Sequence, residues 1–400
     1  MAQAVTPRPA GVGPATPALA SAFSMPVISP VTERPPYRYR DCKAVNILFT
    51  TDAAVLEGLV PPEGGLYSNQ SWDDSKFAQQ VQQVRRTAWL AAVAQRVRRL
   101  WLLGAAAAAA SDVWLAWRLW RLSRRERSCG LIAYERASLL FLILRSWLPT
   151  RGRVVWMDLH LYPSSALKRR LLRRAAGAAE ACVVWSRRSG LGYANELSLP
   201  VERFVVIPYQ VNHSKDPEEE QLLRGDYVFA GGDSERDYKT LFQAVEGLDI
   251  AVVLSTTDPA LTAGDVPRNV VVVQAREPHF RRLLAGARLV VVPLVGRRIR
   301  GGGEGTFLNA MWHRLAVVCA DDVAAPEYFE NGVDGLVVPP GDVDALRAAI
   351  RSLWDDPEKA RRMGLKARAK VESCHSHDLF CERLVKLGSL LARGGNLPES

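Results

Sequence analysis

The chain has 400 residues, 48% of them hydrophobic and 24% charged, with a formal net charge of +10 and a pI near 9.5. That length exceeds one ordinary core and favours two domains of about 150–200 residues. The composition is globular, and six scattered cysteines read as reduced thiols, which excludes a disulfide-stapled scaffold. The positive excess points to an anionic partner: a nucleotide phosphate, an anionic lipid surface or nucleic acid.

Residues 1–40 are rich in Pro and Ala and lack a basic start followed by an unbroken apolar run, so they read as a disordered tail and not a secretion signal. Val45–Thr51 predicts a first strand, 52–74 a long loop, and 75–103 and 113–126 helices. The apolar stretch Leu100–Trp117 carries an alanine run from Ala105 to Ala110. It is broken by Ser111-Asp112 and flanked by Arg98, Arg99, Arg118 and Arg121. About 20 apolar residues are needed to span a bilayer, so it reads as non-spanning.

Leu131–Tyr134 then predicts a strand, 137–147 a helix, Val154–Met157 a strand, Ala166–Ala179 a helix, and Cys182–Trp185 and Phe204–Ile207 further strands. Residues 209–226 are polar and acidic, a linker. A second series follows: strands at Tyr227–Ala230, Ile250–Leu254, Val270–Val273, Leu289–Val292, Val317–Cys319 and Leu336–Val338. The helices between them begin near Asp237, Pro278, Gly305, Ala324 and Asp342. Continuous apolar strands alternating with helices specify α/β domains with parallel sheets. The expected organisation is therefore an N-terminal domain over 41–208, the linker 209–226, a C-terminal domain over 227–372, and a terminal helix over 373–400 packing back on the N-terminal domain. Two doubly wound, Rossmann-like domains then face each other across a cleft, and ligands in such sheets bind at the carboxyl ends of strands.

The most informative stretch is Gly301-Gly302-Gly303-Glu304-Gly305-Thr306, between a strand and a helix. Glycines let backbone amides approach a phosphate, and a helix N-terminus adds unpaired N–H groups and about half a positive charge. Thr306 adds a hydroxyl, and Arg297, Arg298 and Arg300 supply guanidinium groups for a diphosphate. A solvent loop would serve no such coincidence of glycines, arginines and helix start. The stretch Gly231-Gly232-Asp233-Ser234-Glu235-Arg236-Asp237, after the first strand of the second domain, offers Gly232, Arg236 and Lys239 from the opposite wall. Cys374-His375-Ser376-His377 with Cys381 lacks paired Cys-x-x-Cys knuckles and reads as a helix start, not a metal site.

Three segments resemble one family in order and spacing. Residues 301–357, with Pro326-Glu327, Asn331-Gly332 and Gly335 to Asp342, look like the donor-binding half of glycosyltransferase family 4, the glycogen-synthase-like group of GT-B fold. Ser198–Asn212 is similar to the family's entry into its interdomain linker, and Tyr227–Val245 to its next strand and helix. The resemblance implies transfer of a sugar from a nucleoside diphosphate donor to a hydroxyl acceptor, with retention, and no further cofactor. One departure matters. The family carries two glutamates separated by seven residues, and alignment on Ala310-Met311 places Gly301 at the first and Asn309 at the second. Asn309 could meet the nucleotide ribose through its carbonyl, and Glu304, three residues on, is the candidate to replace the first, which contacts the donor sugar.

In the family a histidine after a comparable N-terminal strand faces the donor sugar. His160 is the match, with Asp158 as a rival base, and Gly64-Gly65 loosely resembles the acceptor-side glycine loop. Two helices bear on membranes. Trp114, Trp117 and Trp120 interleave with arginines opposite a leucine face, and Lys168, Arg169, Arg170, Arg173 and Arg174 crowd another helix. Such faces suit an anionic headgroup layer, so a lipid-linked acceptor and a peripheral cytoplasmic location at the inner membrane face are expected. With no DxD-type motif at the site, the arginines stand in for a metal. A nucleotide-sugar epimerase on the same fold and a non-catalytic regulatory subunit remain as alternatives. Nucleic acid is not expected, since no recognition motif accompanies the charge.

Overall fold

The structure is a computed structural model that describes residues 46–50, 81–83, 101–124, 128–132, 136–157, 159, 161–212, 225–262, 266–275, 278–296, 299–395 and 397. The expected tail, the loop 52–74 with Gly64-Gly65, Asp158, His160, Arg297, Arg298 and most of the linker lie outside the described residues.

Two six-stranded sheets form, and every strand pair in both is parallel. The first runs β2-β1-β3-β4-β5-β6, from β1 (Asn46–Thr50), β2 (Val81–Gln83), β3 (Ser128–Ile132), β4 (Arg153–Trp156), β5 (Ala181–Val184) and β6 (Phe204–Val206). The second runs β12-β11-β10-β7-β8-β9, from β7 (Val228–Gly231), β8 (Val252–Ser255), β9 (Val270–Val273), β10 (Leu289–Val292), β11 (Ala316–Ala320) and β12 (Leu336–Val338). Read from β9, this is the 3-2-1-4-5-6 order of doubly wound nucleotide-binding sheets. Its order reverses between β7 and β10.

Strand interiors are as apolar as buried parallel sheets require. All four residues of β10 are buried, as are all five of β11. Two expectations in the N-terminal half are corrected. Val81–Gln83 pairs with β1 as an edge strand, not as part of a helix over 75–103. Val81 and Val84 stand at helical spacing, and a three-residue strand is too short to impose a period of two. The helix expected to begin at 113 instead runs unbroken over Trp101–Leu122. Ser111 and Asp112 do not interrupt it, because they are buried on the stripe that carries Leu115 and Leu119.

Helices Trp101–Leu122, Arg136–Trp147 and Ala166–Ala178 pack side by side over one face of the first sheet. The last helix, His377–Ala392, covers the other face. Its Cys381, Leu384 and Leu387 pack against Cys129, Val155, Val183 and Val205. Each fully buried leucine contributes about 2–3 kcal/mol. The chain thus crosses between the sheets twice, and the crossings lie against each other. Val211 N–H donates to the His375 carbonyl, and His375 Nδ1 donates to the Tyr209 carbonyl over 3.0 Å. Burial pushes His375 down to about 4, so the ring is neutral at this junction. His377 Nδ1 meets Gln210 Oε1.

Helix Pro357–Cys374 lies directly on the turn after Trp312, where a β-carbon on Gly364 would collide with the Arg314 carbonyl. Alanine in a helix is ordinarily better than glycine by about 1 kcal/mol. Here the backbone contact reverses the sign. Gly364→Ala is expected to destabilise the chain by about 3 kcal/mol, read as a lowered urea midpoint at unchanged m-value.

Candidate functional site

The switch point between β7 and β10 brings the two glycine loops together. Behind β7, Asp233 accepts from Thr256 Oγ1 and from the Thr257 N–H and hydroxyl, which fixes the first loop. The loops are then joined through backbone. Asp237 N–H donates to the Pro293 carbonyl, Val295 N–H to the Glu235 carbonyl, and Arg236 bridges Leu294. Asp237 caps the next helix by accepting from Thr240 N–H.

Arg236 is the tie between the walls. Its Nε donates to the Gly231 carbonyl, Nη1 to the Ser234 carbonyl at 2.6 Å, and Nη2 to Thr306 Oγ1 at 3.1 Å. Gly232, at φ +102, lies under this guanidinium, where any β-carbon would touch Nη2. Arg300 Nη2 donates to Ser234 Oγ at 2.7 Å, and its Nε is buried with no hydrogen-bond partner. Two guanidinium groups thus stand at one loop mouth.

Helix Glu304–Trp312 starts behind Gly303, whose φ of 88 is open to glycine and which offers no capping side chain to the first-turn N–H groups. A β-carbon there would also strike Val292. Gly302 is buried, and its N–H is taken by Asp322 Oδ2 at 2.9 Å. The other Asp322 oxygen accepts from Ala324 and Ala325. Burial raises Asp322 above the ordinary aspartate range against those three bonds. Gly303 and Gly305 are half-buried.

Glu304 is buried. Its Oε1 occupies the place that a β-carbon on Gly301 would need. Burial first, then Asp322 nearby, push it up to about 8, with Arg236 and Arg300 opposing. Its side chain lines a pocket between the lobes, with Arg300 and Gly301 on one side and Leu159, Val183, Trp185, Ser189 and Tyr193 on the other.

The lobes also meet beside this pocket. Glu327 accepts from the N–H groups of Arg187 at 2.8 Å and Arg188 at 3.0 Å, at the start of helix Arg187–Leu197, where a carboxylate complements the helix dipole. Tyr328 OH accepts from Tyr209 N–H and donates to the Trp185 carbonyl.

Of the residues named from sequence, Gly232, Arg236, Arg300, Gly302, Gly303, Glu304, Gly305 and Thr306 gather at the switch point. Three sit differently. Gly302 has its amide on Asp322 and shapes the loop from within. Lys239 is exposed on its helix. Asn309 is buried, and its Oδ1 accepts from the Asn212 N–H of the linker at 2.9 Å. Arg297 and His160 lie outside the described residues, although Leu159, beside His160, lines the pocket. Sequence reasoning missed Trp185, Tyr193 and Asp322. Trp185 ends a predicted strand, where the carboxyl-end rule could have found it. Tyr193 and Asp322 carry no local signal.

Among the membrane candidates, Trp117 is exposed, but Trp114 and Trp120 are half-buried against the core, and Trp120 Nε1 donates to the Leu148 carbonyl. The sequence reading put all three on an outward face. The helix instead rotates that face so that only one indole clears its neighbours. Arg169 pairs with Glu196, while Lys168, Arg170 and Arg173 are exposed. Among the described residues no helix is long and apolar enough to cross a membrane.

Two parallel doubly wound sheets with glycine loops facing a cleft define a GT-B architecture. The solved structures agree. The Anabaena protein HepE in complex with UDP and glucose superposes with a TM-score of 0.57 at 13% identity, over 86% of this chain and 99% of that one. Sucrose-phosphate synthase from Thermosynechococcus elongatus gives 0.53 at 16% identity, over 67% and 74%. At these identities the likeness is one of fold. Residues 230–356, within the C-terminal domain, match the family Glycosyl transferases group 1. A curated relative, the GDP-mannose-dependent monoacylated alpha-(1-6)-phosphatidylinositol monomannoside mannosyltransferase of Corynebacterium glutamicum, is 34% identical over 132 residues. The match spans 31% of this chain and only 34% of the relative.

Proposed function

We propose that this chain transfers a sugar, with retention and without a metal ion, from a nucleoside diphosphate to a hydroxyl acceptor carried on a lipid at the cytoplasmic membrane face. The observation that carries the reading is the pairing of Arg236 and Arg300 at the mouth of the Glu304 helix, with the Glu304 carboxyl turned into the interlobe pocket. Support for the donor class comes from HepE, solved with UDP and glucose, and from the GDP-mannose named for the Corynebacterium relative.

The diphosphate rests against Gly303, Gly305 and the first turn of the helix. Arg236 and Arg300 stabilise the charge that grows on the departing nucleotide. Glu304, neutral at pH 7, hydrogen-bonds a hydroxyl of the donor sugar and so does at a new position what a carboxylate at 301 does in the family. Trp185, Leu159 and Tyr193 close the pocket against water, which favours transfer over hydrolysis.

A thermal-shift panel tests the donor step. A nucleoside diphosphate or sugar nucleotide at a hundredfold excess over its Kd stabilises the fold by about 2.7 kcal/mol, whereas the matching nucleoside gives little. A flat response across all bases at millimolar concentration sinks the reading. Gly301 and Asn309 favour a non-catalytic subunit as the second reading. Sugar transfer or donor hydrolysis by the purified chain alone decides against it, and an epimerised nucleotide sugar as product would replace both.

A further inference from the structure

The net charge of the whole chain is held in one segment. Residues 113–179 contain fourteen Lys and Arg against three Asp and Glu, a balance of +11 in a chain of +10. The segment also holds eight of the twelve large apolar side chains that are exposed among the described residues. Six of those eight, Val113, Trp117, Leu140, Trp147, Leu167 and Leu171, lie on the three packed helices Trp101–Leu122, Arg136–Trp147 and Ala166–Ala178, beside the exposed Arg121, Lys168, Arg170, Arg173 and Arg174.

Each helix contributes a stripe. On the first, Val113, Trp117 and Arg121 follow helical spacing and are all exposed, with Arg121 over the Trp117 ring at 5.6 Å and the exposed Arg124 in the turn that follows. On the second, Leu140 and Trp147 are exposed, Trp147 at 64%. On the third, Leu167, Arg170, Leu171 and Arg174 share one face. Arg174 joins the third helix to the second, donating to Ser146 Oγ at 2.7 Å and lying 5.0 Å from the Trp147 ring centre. Indoles and leucines fringed by guanidinium groups match an anionic headgroup layer, where rings sit at the acyl boundary and basic side chains reach phosphates. The third helix begins seven residues after Leu159, which lines the interlobe pocket.

We infer that this three-helix face seats the N-terminal domain on an anionic phospholipid bilayer, with Trp117, Trp147, Leu167 and Leu171 inserted and Arg170, Arg173 and Arg174 on phosphates. The inference names the membrane partner of the proposed transferase, but its surface is separate from the donor loops, so the two can fail independently.

The test is co-sedimentation of the full chain, without nucleotide, with vesicles of phosphatidylcholine alone or mixed with phosphatidylglycerol. Binding is expected to the mixed vesicles only, to weaken with salt, and to blue-shift tryptophan emission. Replacing Arg170 and Arg173 together by glutamine is expected to weaken it about thirtyfold. Trp117→Ser with Trp147→Ser is expected to abolish the blue shift. The far-UV circular dichroism and melting temperature of both variants are expected to stay unchanged, which shows that they fold. Equal affinity for neutral vesicles, no binding to mixed ones, or undiminished binding by folded variants overturns the inference, whatever the donor panel gives.

Discussion

Replacing Arg236 with methionine is expected to lower kcat/KM for sugar transfer by about 10²–10³-fold, the usual loss when one preorganised group facing developing charge is removed. The guanidinium makes three hydrogen bonds, two to backbone carbonyls of its own loop and one to Thr306 on the opposite wall. Its orientation is therefore set before any ligand arrives, and little reorganisation is needed when charge builds on the leaving nucleotide. A purely structural tie would act differently. It would lower stability and affect a nucleoside and its diphosphate alike. The decisive readout is thus discrimination. Wild type is expected to prefer the nucleoside diphosphate over the nucleoside, and Arg236→Met to lose most of that preference while keeping nucleoside affinity. Arg236→Lys, which keeps the charge but not the fork of three bonds, is expected to fall between. A methionine variant with intact discrimination would remove Arg236 from the diphosphate site.

How much of this was legible in the sequence follows from the range of the forces involved. The strands of the second sheet were readable because each is an unbroken apolar run, as burial on both faces demands of the central strand Leu289–Val292, the observed β10, and the edge strand Val270–Val273 keeps the same run as β9 although Val271 is exposed. The two glycine loops were readable as separate motifs, and the strand order then placed them side by side. Short or composite elements were not readable. Three residues of β2 express no period, and Ser111-Asp112 resembles a break until its burial is seen. Contacts between distant residues were invisible for a different reason. Asn309 bonds an amide 97 positions away and Gly302 a carboxylate 20 positions away, and neither leaves a local pattern. The exposure of Trp117 against the half-burial of Trp114 and Trp120 depends on how neighbouring helices cover that face, which helical spacing alone does not contain.

The Glu304→Gln variant is expected to be more stable than wild type, by an amount that grows with pH. In the unfolded chain the carboxyl titrates at its ordinary 4.5, and in the fold burial and Asp322 move it to about 8. Below pH 4.5 both states hold the proton and the residue costs nothing. Between 4.5 and 8 the unfolded chain releases the proton while the folded one keeps it, so stability falls as pH rises. Above 8 both are ionised and the full penalty is present, on the order of 5 kcal/mol for a shift of this size. Glutamine has no proton to lose. The difference in unfolding free energy between the two proteins should be near zero at pH 4.5, about 3 kcal/mol at pH 7 and largest at pH 9. Asp322 and His375 titrate in both proteins, so their direct contributions cancel in the difference. The same proton governs the proposed chemistry. Wild-type transfer is expected to decline above pH 8 as the carboxyl ionises. Glu304→Gln, which still donates and accepts, should keep activity within about tenfold and lose that alkaline limb, whereas Glu304→Ala should lose activity at every pH. Urea titrations at three pH values with pH–rate profiles of both variants check this. A glutamine variant whose stability parallels wild type from pH 4.5 to 9 would mean that the carboxyl is solvated and ionised. The space over Gly301 would then hold an ordinary acid, not the neutral hydrogen-bonding group on which the donor-sugar contact depends.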